Sequence, residues 1–344
     1  MHGGSIADID NIDIDFSVNL NPYMPKDIRD LIDKSIEDGI RASGLYPDID
    51  QSDVRSAIAS QNKISPDEVI AGNGASELIT AITQMISPTR AMLIEPCFSA
   101  YRRALSITGD CKIERYLLQE KNGYALTDDL LSSMDETVDL MFITDPWNPT
   151  GRKTDDALLD RIVMKAYELG ITVIIDESFC MDKHRKTAYP DNVYAIRSYT
   201  KSFALPGIRM GYAVASRDNI QFLRNRLPEW NISNLADHVM RSCACIVRDT
   251  DFYNDSCTYI NEQRDYLAKE LERLGFTVFP SDSMFVLCKG VVGLYEKLIE
   301  RRIRIRKCDD FYGLGEEYYR IAVRGRKDND ILLEQLGKIL EKDR

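Results

Sequence analysis

The chain has 344 residues, 44% apolar and 29% charged, with 44 lysines and arginines against 55 aspartates and glutamates for a formal net charge of −11. That length exceeds one ordinary domain and allows a sizeable core, while the acidic balance excludes a general nucleic-acid binder, which needs a basic surface. No apolar run approaches the ~20 residues that span a bilayer, and the N-terminal MHGGSIADIDNIDIDFSVNLNP lacks the basic and apolar regions of a targeting segment, so a cytoplasmic protein with no membrane partner is expected.

Eight cysteines stand at 97, 111, 180, 243, 245, 257, 288 and 308 with no C-x-x-C pair, and they read as reduced thiols. The three histidines, His2, His184 and His238, sit at no ligand spacing to a cysteine pair, so no metal site is predicted. From about residue 65 to 230 short apolar runs alternate with amphipathic stretches. ASELITAITQMI (75–86) has helical spacing, RAMLIE (90–95) and VDLMFIT (138–144) read as buried strands, and DDALLDRIVMKAYELG (155–170) is again helical. ITVIID (171–176), VYAIRS (193–198) and MGYAVA (210–215) are further strands, followed by the helical DNIQFLRNRL (218–227). This alternation predicts an α/β large domain at 41–230, with a mostly parallel sheet covered by helices on both faces. Next come two helical stretches, LADHVMRSCACIVRD and YINEQRDYLAKELERLG, then grouped strands at FTVFP (276–280), MFVLCK (284–289), IRIRKC (303–308) and YYRIAVRG (318–325). They predict a smaller α+β domain, discontinuous over 1–40 and 231–344.

Ligands of open parallel sheets bind beyond the carboxyl ends of the strands. There the sequence sets Asn148 in Asp145-Pro146-Trp147-Asn148-Pro149-Thr150-Gly151, then Asp176 and Glu177, then Ser198 and Lys201. The turn AGNGAS (71–76) feeds a helix N-terminus, where exposed amides suit a phosphate. Ser198 and Lys201 also match the S-x-x-K of penicillin-binding proteins, but the S-D-N and K-T-G partners of that motif are missing. A lysine amine, a buried carboxylate, an asparagine and a phosphate cradle with serine and arginine are the parts needed to hold pyridoxal phosphate. The lysine would link to the aldehyde, Asp176 would keep the pyridine nitrogen protonated, and Ser198, Arg209 and the amides of Gly74, Ala75 and Ser76 would neutralise the phosphate.

S-x-T-K-x-F-x-x-P-G-I-R-x-G-Y (198–212), D-P-x-N-P-T-G (145–151) and D-E-S-F (176–179) together resemble fold-type I pyridoxal-phosphate enzymes of the aminotransferase class I/II group. The resemblance implies the fold of those enzymes, with Lys201 carrying the cofactor, Asp176 paired with N1, Asn148 with O3′ and Phe98 stacked on the ring. It also implies a homodimer in which Tyr46, in LYPD, reaches the phosphate of the neighbouring subunit.

Two kinds of relative compete. Histidinol-phosphate aminotransferases share LYPD, GNGA and the lysine block, whereas the opening His2-Gly3-Gly4, DFSVNLNP and the closing IRIRKC…YYRIAVR resemble L-threonine-O-3-phosphate decarboxylases. The latter resemblance implies that His2, Gly3, Asn19, Arg306 and Arg320 contact a small phosphorylated amino acid, with Asn148 also at the substrate. In RRIRIRK (301–307) the arginines alternate with isoleucines, so one strand face is basic; Arg302 and Arg304 read as solvated charges, Arg306 and Arg320 as ligands for carboxylate and phosphate. Phe179 stands where many aminotransferases carry a tyrosine, which favours the decarboxylases. Trp147 fits neither group, and its bulk beside Asn148 is expected to reshape the substrate pocket. Decarboxylation and transamination differ in which Cα bond is held perpendicular to the cofactor ring, and the sequence leaves both open.

Overall fold

The computed structural model describes residues 11–182, 186 and 189–342. The first strand, β1 (Ile14–Asp15), runs parallel to a strand near the other end of the chain. Seven strands then build the main sheet: β2 (Val69–Asn73), β3 (Arg90–Glu95), β4 (Lys112–Leu117), β5 (Leu140–Thr144), β6 (Thr172–Asp176), β7 (Val193–Ser198) and β8 (Met210–Val214), in the order β2-β8-β7-β6-β5-β3-β4. Only β8 runs against its neighbours. The period-two alternation of side chains assigns the two faces. Leu140 and Phe142 pack with the helices Ala75–Ile86 and Ser99–Ser106, while Met141 and Ile143 pack with the helix Asp156–Glu168.

All five predicted large-domain strands form, within two residues of their expected bounds. Two more were not legible. β2, VIAGN, ends in the glycine turn, and its small residues carry no strand pattern. β4, KIERYL, is the half-exposed edge strand, and its charges hide the apolar alternation.

Four further strands, β9 (Thr277–Val278), β10 (Phe285–Lys289), β11 (Ile303–Arg304) and β12 (Arg306–Lys307), precede the last, β13 (Tyr318–Ala322). β12-β13-β10-β9 form an antiparallel sheet, whereas β11 pairs with β1. Phe16, Val286, Cys288, Tyr319 and Ile321 share a core with Leu267, Leu271, Leu332 and Leu336 from the long helices Phe252–Arg273 and Arg326–Lys342. The single basic strand face expected at 301–307 is corrected here: the chain changes sheets at Ile305. Arg304 is buried, 3.7 Å from Asp15, and is not a solvated edge charge. Arg302 does stay exposed, paired with Asp13 at 2.8 Å.

We propose the division into 41–230 and 1–40 plus 231–344. The helix Asn234–Asp249 lies at the junction, packed through Val239, Met240 and Cys243 in one core with Ile28 and Ile32 of the helix Lys26–Arg41 and Val54 and Ile58 of the helix Ser52–Asn62. All eight cysteines are free thiols. Among the described residues no helix is long and apolar enough to cross a membrane, and no group of His, Cys, Asp and Glu could hold a metal.

Candidate active site

The ends of six neighbouring strands open on one cavity of about 670 Å³. β8 is antiparallel, so its beginning, after Arg209, meets the carboxyl ends of β2 and β7. β2 delivers Gly74, β7 delivers Ser198 and the short helix Tyr199–Ser202 that carries Lys201, β6 ends on Asp176, β5 leads to Asn148 and β3 to Phe98. The small antiparallel sheet supplies Arg306 and Arg320 from the other side, and the segment after β1 supplies Asn19.

Five cations line the cavity, Arg103, Lys201, Arg209, Arg306 and Arg320, against Asp176 as the one acid among the lining residues. In a chain of net charge −11 this concentration of positive charge marks an anion site. The register sharpens it: Arg306 and Arg320 stand directly opposite each other across β12 and β13, 7% and 6% exposed. Facing like charges repel, and burial adds to the cost. Asp310 neutralises Arg306 through two contacts of 2.7 and 2.8 Å to Nη2. Arg320 has no carboxylate among the described residues; it donates to Asn148 Oδ1 at 2.5 Å and to the Ser17 carbonyl at 2.9 Å, and its buried Nε has no partner. Burial lowers its affinity for its proton to a pKa of about 10.

Lys201 lies between these arginines and Asp176, its Nζ 5.8 Å from the centre of the Phe179 ring. Burial first, then the Arg320 and Arg209 charges, bring it down to about 8. Asp176 is buried, and burial raises its carboxyl above the usual range against the donors Ser178 N at 3.0 Å and Tyr101 Oη at 2.7 Å. At Gly74 φ is +77°, and a Cβ there would fall 2.5 Å from Arg209 Nη2. Glycine therefore lets the guanidinium lie against the first turn of the helix Ala75–Ile86, which has no side-chain cap. Ser198 Oγ lines the cavity, but it donates to the Met210 carbonyl at 2.6 Å and accepts from Thr200 N, so its one proton is directed to the backbone and not to the cavity.

Of the predicted site residues, Asn19, Ala75, Ser76, Phe98, Asn148, Asp176, Ser198, Lys201, Arg209, Arg306 and Arg320 line this one cavity, with Gly74 beneath Arg209. Tyr46 does not; it is 83% exposed on the outer surface beside Trp230. His2 and Gly3 lie outside the described residues. Trp147 corrects its expectation. It is 1% exposed in the core behind the turn, with Nε1 donating to Thr154 Oγ1 at 3.1 Å, and it does not line the cavity. Consecutive residues of the turn point to opposite sides, so Asn148 faces in and Trp147 away. Sequence reasoning missed Tyr101, Thr144 and Arg103; only the Tyr101 spacing, three residues beyond Phe98 at the cap of the same helix, could have pointed to a shared site.

A family model for aminotransferase class I and II matches residues 11–336. The chain belongs to the aminotransferase class I and II family. Threonine-phosphate decarboxylase of Salmonella typhimurium is 31% identical, over 98% of this chain and 96% of its own. A histidinol-phosphate aminotransferase of Caldanaerobacter subterraneus is 27% identical, over 97% and 95%. The crystal structure of the histidinol-phosphate aminotransferase from Clostridium acetobutylicum superposes with a TM-score of 0.85 at 27% identity, covering 96% of this chain and 99% of that one. Enzymes of the family use pyridoxal phosphate, and this chain is such an enzyme. The cavity suits that group on its own features. A cradle that a Cβ would fill, an amine of lowered pKa and the orphaned buried donors Ser178 Oγ and Arg320 Nε offer charge and hydrogen bonds to an anionic group, while the buried acid Asp176 and the orphaned Asn19 Oδ1 offer acceptors to its protonated positions.

Proposed function

We propose that this enzyme decarboxylates O-phospho-L-threonine or O-phospho-L-serine to the corresponding amino-alcohol phosphate, as a step in cobamide biosynthesis. The observation that carries the reading is the facing pair Arg306 and Arg320, two buried guanidiniums on one wall of the cavity. A substrate carboxylate supplies the anion that Arg320 lacks, and a phosphate can share Arg306 with Asp310. The identity with a threonine-phosphate decarboxylase over nearly the full length of both chains supports it.

When bound, pyridoxal phosphate supplies an electron sink for the pair left at the substrate Cα. Lys201 is assigned as its attachment point, Asp176 as the partner of the ring nitrogen, Asn148 as a donor to O3′ and Phe98 as a stacking surface. Gly74, Ala75, Ser76, Ser198 and Arg209 form the phosphate cradle. Arg320 grips the substrate carboxylate beside Asn148, and Arg306, with Asn19, His2 and Gly3, takes the phosphate. With a pKa of about 8, Lys201 can give a proton to Cα or take one from it near neutrality. Tyr46 is assigned to the neighbouring subunit's cofactor phosphate in a homodimer, consistent with its place on the outer surface.

Transamination of a phosphate ester is the second reading, favoured by 27% identity with a histidinol-phosphate aminotransferase. The absence of a hydroxyl at Phe179, which faces the cavity, weighs against it. Incubation of the holoenzyme with O-phospho-L-threonine should release CO₂ with no keto acid present. Glutamate-dependent conversion of the cofactor to its amine form, without CO₂, would establish the aminotransferase instead.

A further inference from the structure

The buried acid Asp176 has no cation paired with it among the described residues, so neutral donors must stabilise its ionised form. One is the Ser178 amide. The other comes from a helix 75 residues earlier: Tyr101 Oη donates to Asp176 Oδ2 at 2.7 Å and lies 2.8 Å from Thr144 Oγ1. A phenol has one proton, and it is directed to the carboxylate, so Thr144 is the donor to Tyr101. The tyrosine ring is fixed as well. It stacks on Phe142 with centroids 4.8 Å apart and meets Phe98 edge-on at 5.8 Å. Phe142 and Thr144 are two apart on β5 and share its face, so one strand holds both ends of the ring. Burial pushes the Tyr101 hydroxyl well above its ordinary pKa, so it remains a donor wherever the enzyme works.

We infer that Tyr101 is a positioning residue for the cofactor, its hydroxyl, held by Thr144, keeping Asp176 ionised and aimed at the ring nitrogen. The inference rests on the assignment of Asp176 to that nitrogen. Without the hydroxyl, the carboxylate becomes a stronger base, draws the proton away from the ring nitrogen and weakens the positive charge there. The ring then withdraws less from the nitrogen that Lys201 contributes, which holds its own proton to higher pH.

The test is the pH titration of the cofactor absorption band in substrate-free holoenzyme, together with cofactor affinity measured on apoenzyme. Tyr101→Phe is expected to raise the midpoint by ~0.5 pH unit or more and to weaken the affinity about tenfold, as loss of one charge-assisted hydrogen bond implies. Thr144→Val, which leaves the tyrosine in place, is expected to move the midpoint the same way by less, and the double variant to add nothing beyond Tyr101→Phe. An unmoved midpoint in Tyr101→Phe overturns the inference. If that variant does not fold, an unmoved midpoint in Thr144→Val does so. Asp176→Asn separates the premise from the inference: a shift there without one in Tyr101→Phe refutes only the role of Tyr101, whereas no shift in Asp176→Asn refutes the assignment of Asp176.

Discussion

Replacement of Arg320 by methionine should separate stability from function. Burial of the guanidinium without a carboxylate lowers its pKa to about 10, which corresponds to about 3 kcal/mol of cost to the folded charged form. Methionine removes that cost and keeps a long apolar stem against Phe285, over whose ring the guanidinium sits at 5.3 Å. It also removes the bonds to Asn148 Oδ1 and the Ser17 carbonyl, at about 1.5 to 3 kcal/mol each for a charged donor. The removed cost offsets much or all of that loss, so the urea denaturation free energy of apo Arg320→Met should fall below that of the parent by no more than about 3 kcal/mol. Activity should not survive so well. Two charge-assisted bonds to a substrate carboxylate are worth roughly 3 to 6 kcal/mol, a hundred- to ten-thousand-fold in kcat/KM for CO₂ release. Arg320→Lys keeps the charge and loses the fork, and should fall between. A variant that loses more than about 3 kcal/mol of stability while kcat/KM stays within about tenfold would show that Arg320 is a structural ion, and the reasoning from its missing partner would be refuted.

Lys201→Ala should remain colourless with added pyridoxal phosphate; an imine band in that variant sinks the assignment of the attachment point. In the parent, a Lys201 pKa of about 8 means that the neutral amine grows from about one tenth at pH 7 to about nine tenths at pH 9. Cofactor capture by apoenzyme, followed by stopped-flow absorbance, should therefore rise about tenfold over that range and then level off; a rise continuing beyond pH 10 would mean an unperturbed lysine. Gly74→Ala places a Cβ 2.5 Å from Arg209 Nη2 on a backbone of φ +77°, and should weaken cofactor affinity at least tenfold by displacing that guanidinium from the cradle. Equal affinities measured by equilibrium dialysis would contradict this. Trp147→Phe should lower the denaturation free energy by about 1 to 3 kcal/mol, since it deletes part of a buried ring and a buried hydrogen bond, while kcat/KM stays within about twofold. A selective loss of activity would return Trp147 to the substrate pocket.

The chemistry that lies close together in the chain was legible from residue types alone. Lys201, Arg209 and Ser198 fall within one strand-to-turn segment, and Asp176 and Asn148 each follow an apolar run that could only be a buried strand. Period-two alternation and the rule that ligands bind at strand carboxyl ends then place them at one edge of the sheet. What depends on pairing between distant segments had to come from tertiary structure. The opposition of Arg306 and Arg320 is a matter of strand register, and the same arginine-isoleucine repeat was divided between two sheets, with Arg304 buried near Asp15 instead of solvated. The bond from Tyr101 to Asp176 joins a helix to a strand end 75 residues on, and Trp147 shows that two neighbours in one turn can face a cavity and a core. Local pattern reports which side of an element is apolar, because burial acts on each residue by itself; which element lies opposite is set by packing of the whole chain, and no short stretch contains it.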